Sequence, residues 1–279
     1  MKALLKKFLA FLKGSTIEVK PVAPVPTPSP LVPVKPVVPT SKGQEYYPKA
    51  LLMREQMPVK GTYAKKYPLG AVVHFTAGRW ANKKREASSY VDKAKDTILG
   101  GIKNGYTFLC IAYEGTLVQA HAISKWGWHA GESAWSGLVG TVSDDLIGIE
   151  MNCAGKLTKI NGKYYPYWAF HEKTGKLIYP DEEIPAEQVR YVTEEAYGCP
   201  TGYYHKYSPE QEKTLIEFLV WLVLNDPYGV FKVEHILGHH EVAGKRGIGK
   251  WRKNDPGGSL SMTMDQLRAT VLKEVAKAV

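Results

Sequence analysis

Short apolar runs divided by turn-forming residues fill the chain from about residue 43 to its end. Runs rich in β-branched and aromatic residues predict strands, and they alternate with segments that carry helix signals, which indicates an α/β fold. The predicted strands are 70–75, 106–113, 116–120, 145–152 and a hairpin over 156–167 that turns at Asn161-Gly162.

Three segments carry helix signals. Residues 85–103 are predicted as the first helix. Ser208-Pro209-Glu210-Gln211 is a capping box with proline at the first helical position, and it opens a helix to about Leu224. Thr263-Met264-Asp265-Gln266 caps a final helix to Ala278. The middle helix is apolar on most faces, so we expect it at the centre of the core.

The first 44 residues have a different character. Residues 1–14, MKALLKKFLAFLKG, predict a basic amphipathic helix, with leucine and phenylalanine on one side and lysine on the other. This helix is too short to span a bilayer but suits an anionic membrane surface; a docking peptide and an inert terminus are the alternatives. Residues 15–44 are proline-rich and predict an extended tether, with an SH3-type ligand as the alternative. A single domain is predicted over 45–279.

Composition narrows the range of partners. The formal net charge of +10 favours polyanions such as nucleic acid, anionic lipid or acidic wall polymers. No nucleic-acid-binding module is recognisable, so nucleic acid is discounted. The 3 cysteines form no spaced framework, which argues against a domain built on disulfides.

Two histidines and one aspartate, distant in sequence, are candidates for one metal site. His74 and His239 each follow an apolar run at an apparent strand end, and Asp255 lies in a turn-forming stretch. Two imidazoles and a carboxylate suit Zn²⁺, and three protein ligands leave a catalytic zinc ion one open position. His240 could replace His239 as the ligand; adjacent strand residues face opposite sides, so only one of the two should point into the site. The other histidines stay as further candidates: His121, His129, His171, His205 and His235.

Glu150 and Lys253 are candidates for the catalytic groups. Glu150 ends an apolar strand, where a carboxylate is costly unless it has a partner or a task. It is either an ion-pair partner of a lysine or a general base. Lys253 lies two residues before Asp255, so both would face the same side of an extended segment. It either points to solvent or stabilises an oxyanion.

The order of five short strings resembles the zinc-dependent N-acetylmuramoyl-L-alanine amidases that share a fold with peptidoglycan recognition proteins. The strings are 71–78 (AVVHFTAG), 128–133 (WHAGES), 147–150 (IGIE), 238–241 (GHHE) and 252–257 (RKNDPG). The resemblance implies a central mixed β-sheet flanked by helices, and cleavage of the amide between N-acetylmuramic acid and the L-alanine of the stem peptide.

The same resemblance assigns roles to residues. It implies that His74, His239 and Asp255 bind zinc, that Glu150 is the acid/base and that Lys253 stabilises the oxyanion. His129 matches the histidine of the family's Trp-His-Ala-Gly string, near the metal but not a ligand. The predicted substrate-binding residues are His129, Trp128 and Thr76.

Two stretches depart from the compact family pattern. Residues 244–251 lengthen the loop before Asp255. They either form a flap over the substrate or displace Asp255 from the metal. Residues 156–207 look like an insertion whose tyrosines and Trp168 either line a groove or pack on the core; packing is favoured.

The arrangement of basic helix, spacer and amidase resembles phage endolysins. It implies a monomer that is made in the host cytoplasm without a clear signal peptide and acts on the peptidoglycan of the cell wall. A non-catalytic peptidoglycan-binding module and an intracellular amidase that recycles muropeptides are the alternatives.

Overall fold

The structure is a computed structural model and describes residues 38–39, 41–53, 59–81, 84–86, 88–243 and 252–279. The predicted amphipathic helix over 1–14 lies outside the described residues, as does most of the predicted 15–44 linker. Among the helices that are described, none has the length and apolar character needed to cross a membrane.

Strands and helices are numbered here in chain order. The strands are β1 (Leu51–Leu52), β2 (Gly61–Thr62), β3 (Ala71–Phe75), β4 (Leu109–Ile111), β5 (Leu117–Gln119), β6 (Lys125–Trp126), β7 (Ser133–Trp135), β8 (Leu138–Gly140), β9 (Ile147–Met151), β10 (Lys156–Ile160), β11 (Lys163–Pro166), β12 (Val189–Val192), β13 (Gly202–His205) and β14 (Ile236–Gly238). The α-helices are α1 (Ser89–Lys103), α2 (Glu194–Tyr197), α3 (Pro209–Asn225), α4 (His239–Val242) and α5 (Met264–Ala278).

A six-stranded central sheet carries the fold, in the order β1-β5-β4-β9-β3-β14. Strand β5 runs antiparallel to β4, whereas the other neighbours are parallel, so the sheet is mixed. The predicted fold class, an α/β fold with a central mixed sheet flanked by helices, is confirmed. All five residues of β3 are buried, as expected for a parallel strand covered on both faces.

Alternating side chains divide the core between the two faces of the central sheet. Val73 and Ile149 belong to the large cluster that also holds the apolar residues of α3 and α5. Val72 packs in a separate cluster with Leu146 and Leu237. Because the side-chain period of a strand is two, His74 and Glu150 lie on the same face as Val72, away from the main core.

The capping boxes predicted for α3 and α5 are both present. Helix α1 begins at Ser89 rather than at the predicted Arg85. Arg85 has a φ of +55°, a left-handed conformation that cannot start a right-handed helix, and its guanidinium donates to the Glu183 carbonyl. The predicted strand 106–113 is shorter as well, because only Leu109–Ile111 pairs within the central sheet.

A second, four-stranded antiparallel sheet, the accessory sheet, occupies the stretch predicted as an insertion, in the order β11-β10-β13-β12. The predicted hairpin at Asn161-Gly162 joins β10 to β11. The chain leaves the central fold to form this sheet and returns to it at a neighbouring point, where the His205 amide donates to the Gly155 carbonyl at 2.9 Å. Its aromatic residues divide: Tyr165 and Tyr204 are buried, as favoured, whereas Tyr167 is 67% exposed.

The accessory sheet also contacts the segment that follows Asp255. The Arg190 Nη1 atom lies 3.0, 3.1 and 2.7 Å from the carbonyl oxygens of Gly258, Ser259 and Leu260. The Tyr204 ring packs so closely on Gly257 that a Cβ there would lie 2.6 Å from it. Glycine at this position therefore permits the close approach of the two segments.

Candidate active site

His74 and Glu150 lie side by side at the carboxyl ends of two parallel strands. They are directly paired in the register of β3 and β9. In open α/β sheets this edge is where ligands bind, because the chain leaves the sheet there and loops form a crevice. The predicted position of both residues at strand ends is confirmed.

His239 and Asp255 are brought to His74 by different elements. His239 is the first residue of α4, directly after β14, and not the last residue of a strand. His240 faces elsewhere: its backbone amide and its Nδ1 atom both donate to the Asp255 carbonyl, at 3.0 and 2.9 Å. His240 thus holds the backbone of Asp255, and the alternative that it replaces His239 in the cluster is wrong.

Three buried side chains form a group that could hold one metal ion: His74, His239 and Asp255. The His74 Nδ1 atom lies 3.0 Å from His239 Nδ1, and each of these nitrogens lies 3.0 Å from Asp255 Oδ2. The longer loop at 244–251 has therefore not displaced Asp255 from the cluster. Whether that loop forms a flap concerns residues outside the described ones.

Hydrogen bonds fix the tautomers of His74 and His239. His129 Nε2 donates to the Leu146 carbonyl at 2.9 Å, so in the neutral ring His129 Nδ1 is an acceptor for His74 Nε2–H at 3.1 Å. His239 Nε2 donates to the Ala130 carbonyl at 3.1 Å. Each ring thus uses Nε2 as a donor, which leaves the Nδ1 lone pairs of His74 and His239 directed at each other and at Asp255.

The electrostatics of this group fit a cation. Burial and the neighbouring His239 lower the pKa of His74 to about 4, so the ring is neutral near pH 7. Burial opposes ionisation of Asp255, but the neighbouring His239 and His74 lower its pKa, so its side chain is a carboxylate. Two lone pairs and a carboxylate oxygen 3.0 Å apart repel one another unless a cation lies between them. Imidazole and carboxylate ligands in this number suit Zn²⁺.

Glu150 stands beside this group as a carboxyl with a raised proton affinity. Burial and the charge of Asp255 raise its pKa to about 8, and Lys253 lowers it in part. Its Oε2 atom is buried without a hydrogen-bond partner among the described residues. A carboxyl that exchanges its proton near neutral pH is suited to general acid–base catalysis.

These residues line one open cavity of about 600 Å³. Lys253, His129 and Thr76 also line it, as predicted from the sequence. Trp128 is not among the lining residues; it is 38% exposed and its ring contacts the edge of Trp126 at 5.1 Å between centroids. The substrate-binding role of these residues remains a prediction.

Sequence reasoning missed several residues that shape the cavity. Gly148 lies under the His129 ring, and a Cβ there would be 2.6 Å from His129 Cγ. Tyr207, which is buried, donates its hydroxyl to the His74 carbonyl at 3.0 Å. Lys156 of the accessory region lines the cavity, and so does Tyr167, one of the tyrosines for which a position lining a groove was the alternative. The glycine of the IGIE string was the other residue of this set with a sequence signal.

Fold and site together define an α/β protein with a buried group of three potential metal ligands in an open cavity at the carboxyl edge of its central sheet. Residues 64–258 match the sequence profile described as N-acetylmuramoyl-L-alanine amidase. The chain belongs to this family of enzymes, which hydrolyse the amide bond between N-acetylmuramic acid and L-alanine in peptidoglycan.

Several solved structures are similar to the chain. A selenomethionine derivative of AmpD is 18% identical, with 82% of this chain and 98% of that chain covered and a TM-score of 0.47. The amidase AmiD from E. coli, in complex with an anhydro-N-acetylmuramic acid peptide, is 18% identical, with coverages of 77% and 61% and a TM-score of 0.44. The endolysin LysCS from Clostridium intestinale is 14% identical, with coverages of 82% and 98% and a TM-score of 0.39. No curated protein sequence matches the chain.

Proposed function

We propose that this chain is a zinc-dependent N-acetylmuramoyl-L-alanine amidase in which His74, His239 and Asp255 hold one Zn²⁺ ion. The observation that carries the proposal is the pair of Nδ1 lone pairs directed at each other and at Asp255 Oδ2, each 3.0 Å from the next. A zinc ion held by these atoms supplies Lewis acidity to water and to a carbonyl oxygen.

Glu150 acts as the proton carrier in this proposal. It takes a proton from the water molecule whose oxygen attacks the lactyl carbonyl carbon. When the carbon–nitrogen bond breaks, Glu150 returns that proton to the nitrogen of L-alanine, so that a lactyl carboxylate and a free amino terminus are released. A pKa raised to about 8 suits both halves of this cycle near neutral pH.

Lys253 stabilises the negative charge that develops on the carbonyl oxygen. It lines the same cavity as Glu150 and Asp255, and it lies close enough to influence the charge of both His74 and Glu150. An ammonium group already in place when charge develops lowers the barrier without reorganisation of solvent.

We further propose a lytic role, in which a monomeric protein made in a host cytoplasm acts on the wall and residues 1–14 bind an anionic membrane surface. The basic amphipathic pattern of that segment, the proline-rich spacer and the net charge of +10 support this setting. Intact sacculi degraded faster than soluble muropeptides support lysis. The reverse preference indicates a recycling amidase.

The catalytic proposal is tested by its products. Zinc-loaded wild type, Glu150→Ala and a chelator-treated sample are incubated with purified sacculi, and mass spectrometry identifies the released ends. We expect free L-alanine amino termini from the wild type alone, with activity restored to the chelated sample by zinc. A wild type that binds sacculi and releases nothing identifies a binding module instead.

A further inference from the structure

The cavity carries more positive groups than the proposed reaction uses. Among the residues that the structure describes, the charged ones that line it are the acids Glu150 and Asp255 and the bases Lys156, Arg252 and Lys253. Both acids and Lys253 belong to the catalytic group. Arg252 donates to the Glu132 carbonyl at 3.1 Å. Lys156 is left as a cation without a task in the reaction.

Lys156 is held at the cavity by the accessory sheet. It pairs in register with Tyr204 on β13, and its Nζ atom lies 5.9 Å from the centre of the Tyr204 ring. The neighbouring Gly202 leaves room for the lysine stem, because a Cβ there would lie 2.7 Å from Lys156 Cε. Within the part of the chain that the structure describes, no carboxylate forms an ion pair with Lys156.

Other lysines of the same sheet are engaged elsewhere. Lys159 Nζ lies 5.3 and 5.2 Å from the ring centres of Tyr164 and Tyr203, on the other face of the sheet. Lys163 forms an ion pair with Glu183 at 2.7 Å. Lys156 therefore differs from Lys159 and Lys163 in lining the cavity and in having no acidic partner among the described residues.

The chemistry of the substrate indicates which anion such a group meets. In an N-acetylmuramoyl peptide the sugar is neutral and the lactyl carboxyl is consumed in the scissile amide. Free carboxylates therefore occur only on the peptide side of that bond. An ammonium group paired with a carboxylate forms a charge-assisted hydrogen bond, which is stronger than a bond to a neutral carboxamide.

We propose that Lys156 is a specificity-determining residue that binds the free α-carboxylate of the residue after L-alanine. This inference rests on the proposed function, since it takes the cavity as the substrate site. The accessory sheet thereby makes the enzyme sensitive to whether that carboxylate is free or amidated.

The test compares two ligands that differ only in this group: N-acetylmuramoyl-L-alanyl-D-glutamate and N-acetylmuramoyl-L-alanyl-D-isoglutamine. Calorimetric Kd values are measured on the zinc-loaded Glu150→Ala protein, so the readout does not depend on turnover. We expect the acid to bind about tenfold more tightly than the amide. Adding Lys156→Met should remove this preference and leave the Kd of the amide unchanged.

Two matched variants act as controls in the same background. Lys159→Met removes a lysine from the other face of the same strand and should keep the tenfold preference, and Lys156→Arg should keep most of it. Three outcomes would overturn the proposal. The preference for the acid could survive Lys156→Met, or that substitution could weaken the binding of both ligands equally. The third outcome is that neither ligand binds measurably at millimolar concentration. Failure of the wild type to release L-alanine amino termini would instead overturn the proposed function, whatever the Kd ratio.

Discussion

The central sheet and the accessory sheet contribute to the same cavity, but they are built differently. Strand β3 of the central sheet is buried along its whole length and is held between two parallel neighbours. Strand β10 of the accessory sheet is antiparallel to its neighbours and exposed over its last three residues. His74 and Glu150 come from the first sheet, and Lys156 from the second.

This difference separates two requirements of an enzyme. Proton transfer and metal binding need atoms held to within fractions of an ångström, which a strand packed on both faces provides. Binding of a substrate group tolerates side chains that are held less rigidly. The division predicts that substitutions in the central sheet abolish turnover, whereas those in the accessory sheet change affinity and stability.

The largest effect is expected from removing a proposed zinc ligand of the central sheet. His74→Ala should lower zinc affinity more than about a hundredfold and bring hydrolysis below detection, because losing a direct ligand costs more than losing an outer-shell partner. The number of zinc ions bound per chain is measured by inductively coupled plasma mass spectrometry. The exposed His171→Ala should behave as wild type. Full zinc content in His74→Ala would rule out the proposed ligand set.

A smaller effect is expected at the oxyanion position. Lys253→Ala should reduce kcat by about a hundredfold or more, since one donor of this kind is worth roughly 2.7–4 kcal/mol in the transition state. Zinc content should not change. Steady-state kinetics on a soluble muropeptide measures this, with Lys159→Ala as the control. A reduction of kcat by less than threefold would show that Lys253 does not stabilise the oxyanion.

Arg190 tests whether the accessory sheet supports the central site. Arg190→Ala removes the guanidinium from the carbonyls of Gly258–Leu260 and should lower the free energy of unfolding by about 1.5–3 kcal/mol. Zinc affinity should fall about tenfold, because the segment after Asp255 loosens. Urea titration and zinc competition give the two values.

Lys163→Ala is the matched control for Arg190. It removes an exposed ion pair of the same sheet, so the free energy of unfolding and the zinc affinity should change little. If Arg190→Ala lowers stability while zinc affinity stays at the wild-type value, the accessory sheet stabilises the fold without positioning Asp255.

The smallest effect concerns pH and His205, whose ring stacks on Tyr113. Burial and Arg85 lower its pKa to about 3 in the folded protein, against an ordinary value of 6.5. The unfolded chain therefore binds a proton below pH 6.5 that the folded chain excludes until about pH 3, so stability falls as pH drops through this window.

The matched substitution is His205→Asn, whose side-chain oxygen can still accept from the Ala154 amide. Relative to the wild type, this variant should gain about 2 kcal/mol between pH 7 and pH 5, by the 1.36 kcal/mol that each unit of displaced titration contributes. Urea unfolding at both pH values measures it. An equal pH dependence in the two proteins would show that His205 is protonated in the fold.

Local signals in the sequence predicted the fold class and several element ends, whereas the cluster of His74, His239 and Asp255 was predicted from their joint occurrence and from the family resemblance. Apolar strand ends marked His74 and Glu150, and capping residues marked Ser208 and Thr263 as helix starts. These signals succeed because they depend on neighbours in sequence. Arg85 shows the limit: its left-handed backbone conformation and its hydrogen bond to the Glu183 carbonyl, far along the chain, have no local signal.

The features that escaped prediction depend on long-range packing. The Nε2 donors of His129 and His239 depend on the carbonyl groups of Leu146 and Ala130, which no local pattern reveals. The pairing of β10 with β13 joins residues nearly fifty positions apart, unlike the predicted hairpin with β11. Lys156 is one lysine among many in this sequence until that pairing places it at the cavity.

The hydrogen bond between the His205 amide and the Gly155 carbonyl has a consequence for engineering. It brings together the two points at which the chain leaves and rejoins the central fold, so the residues between them form a cassette with adjacent ends. Such a cassette can be exchanged between relatives without altering the strands that carry His74 and Glu150, provided that the new one keeps a group able to hold the Gly258–Leu260 carbonyls.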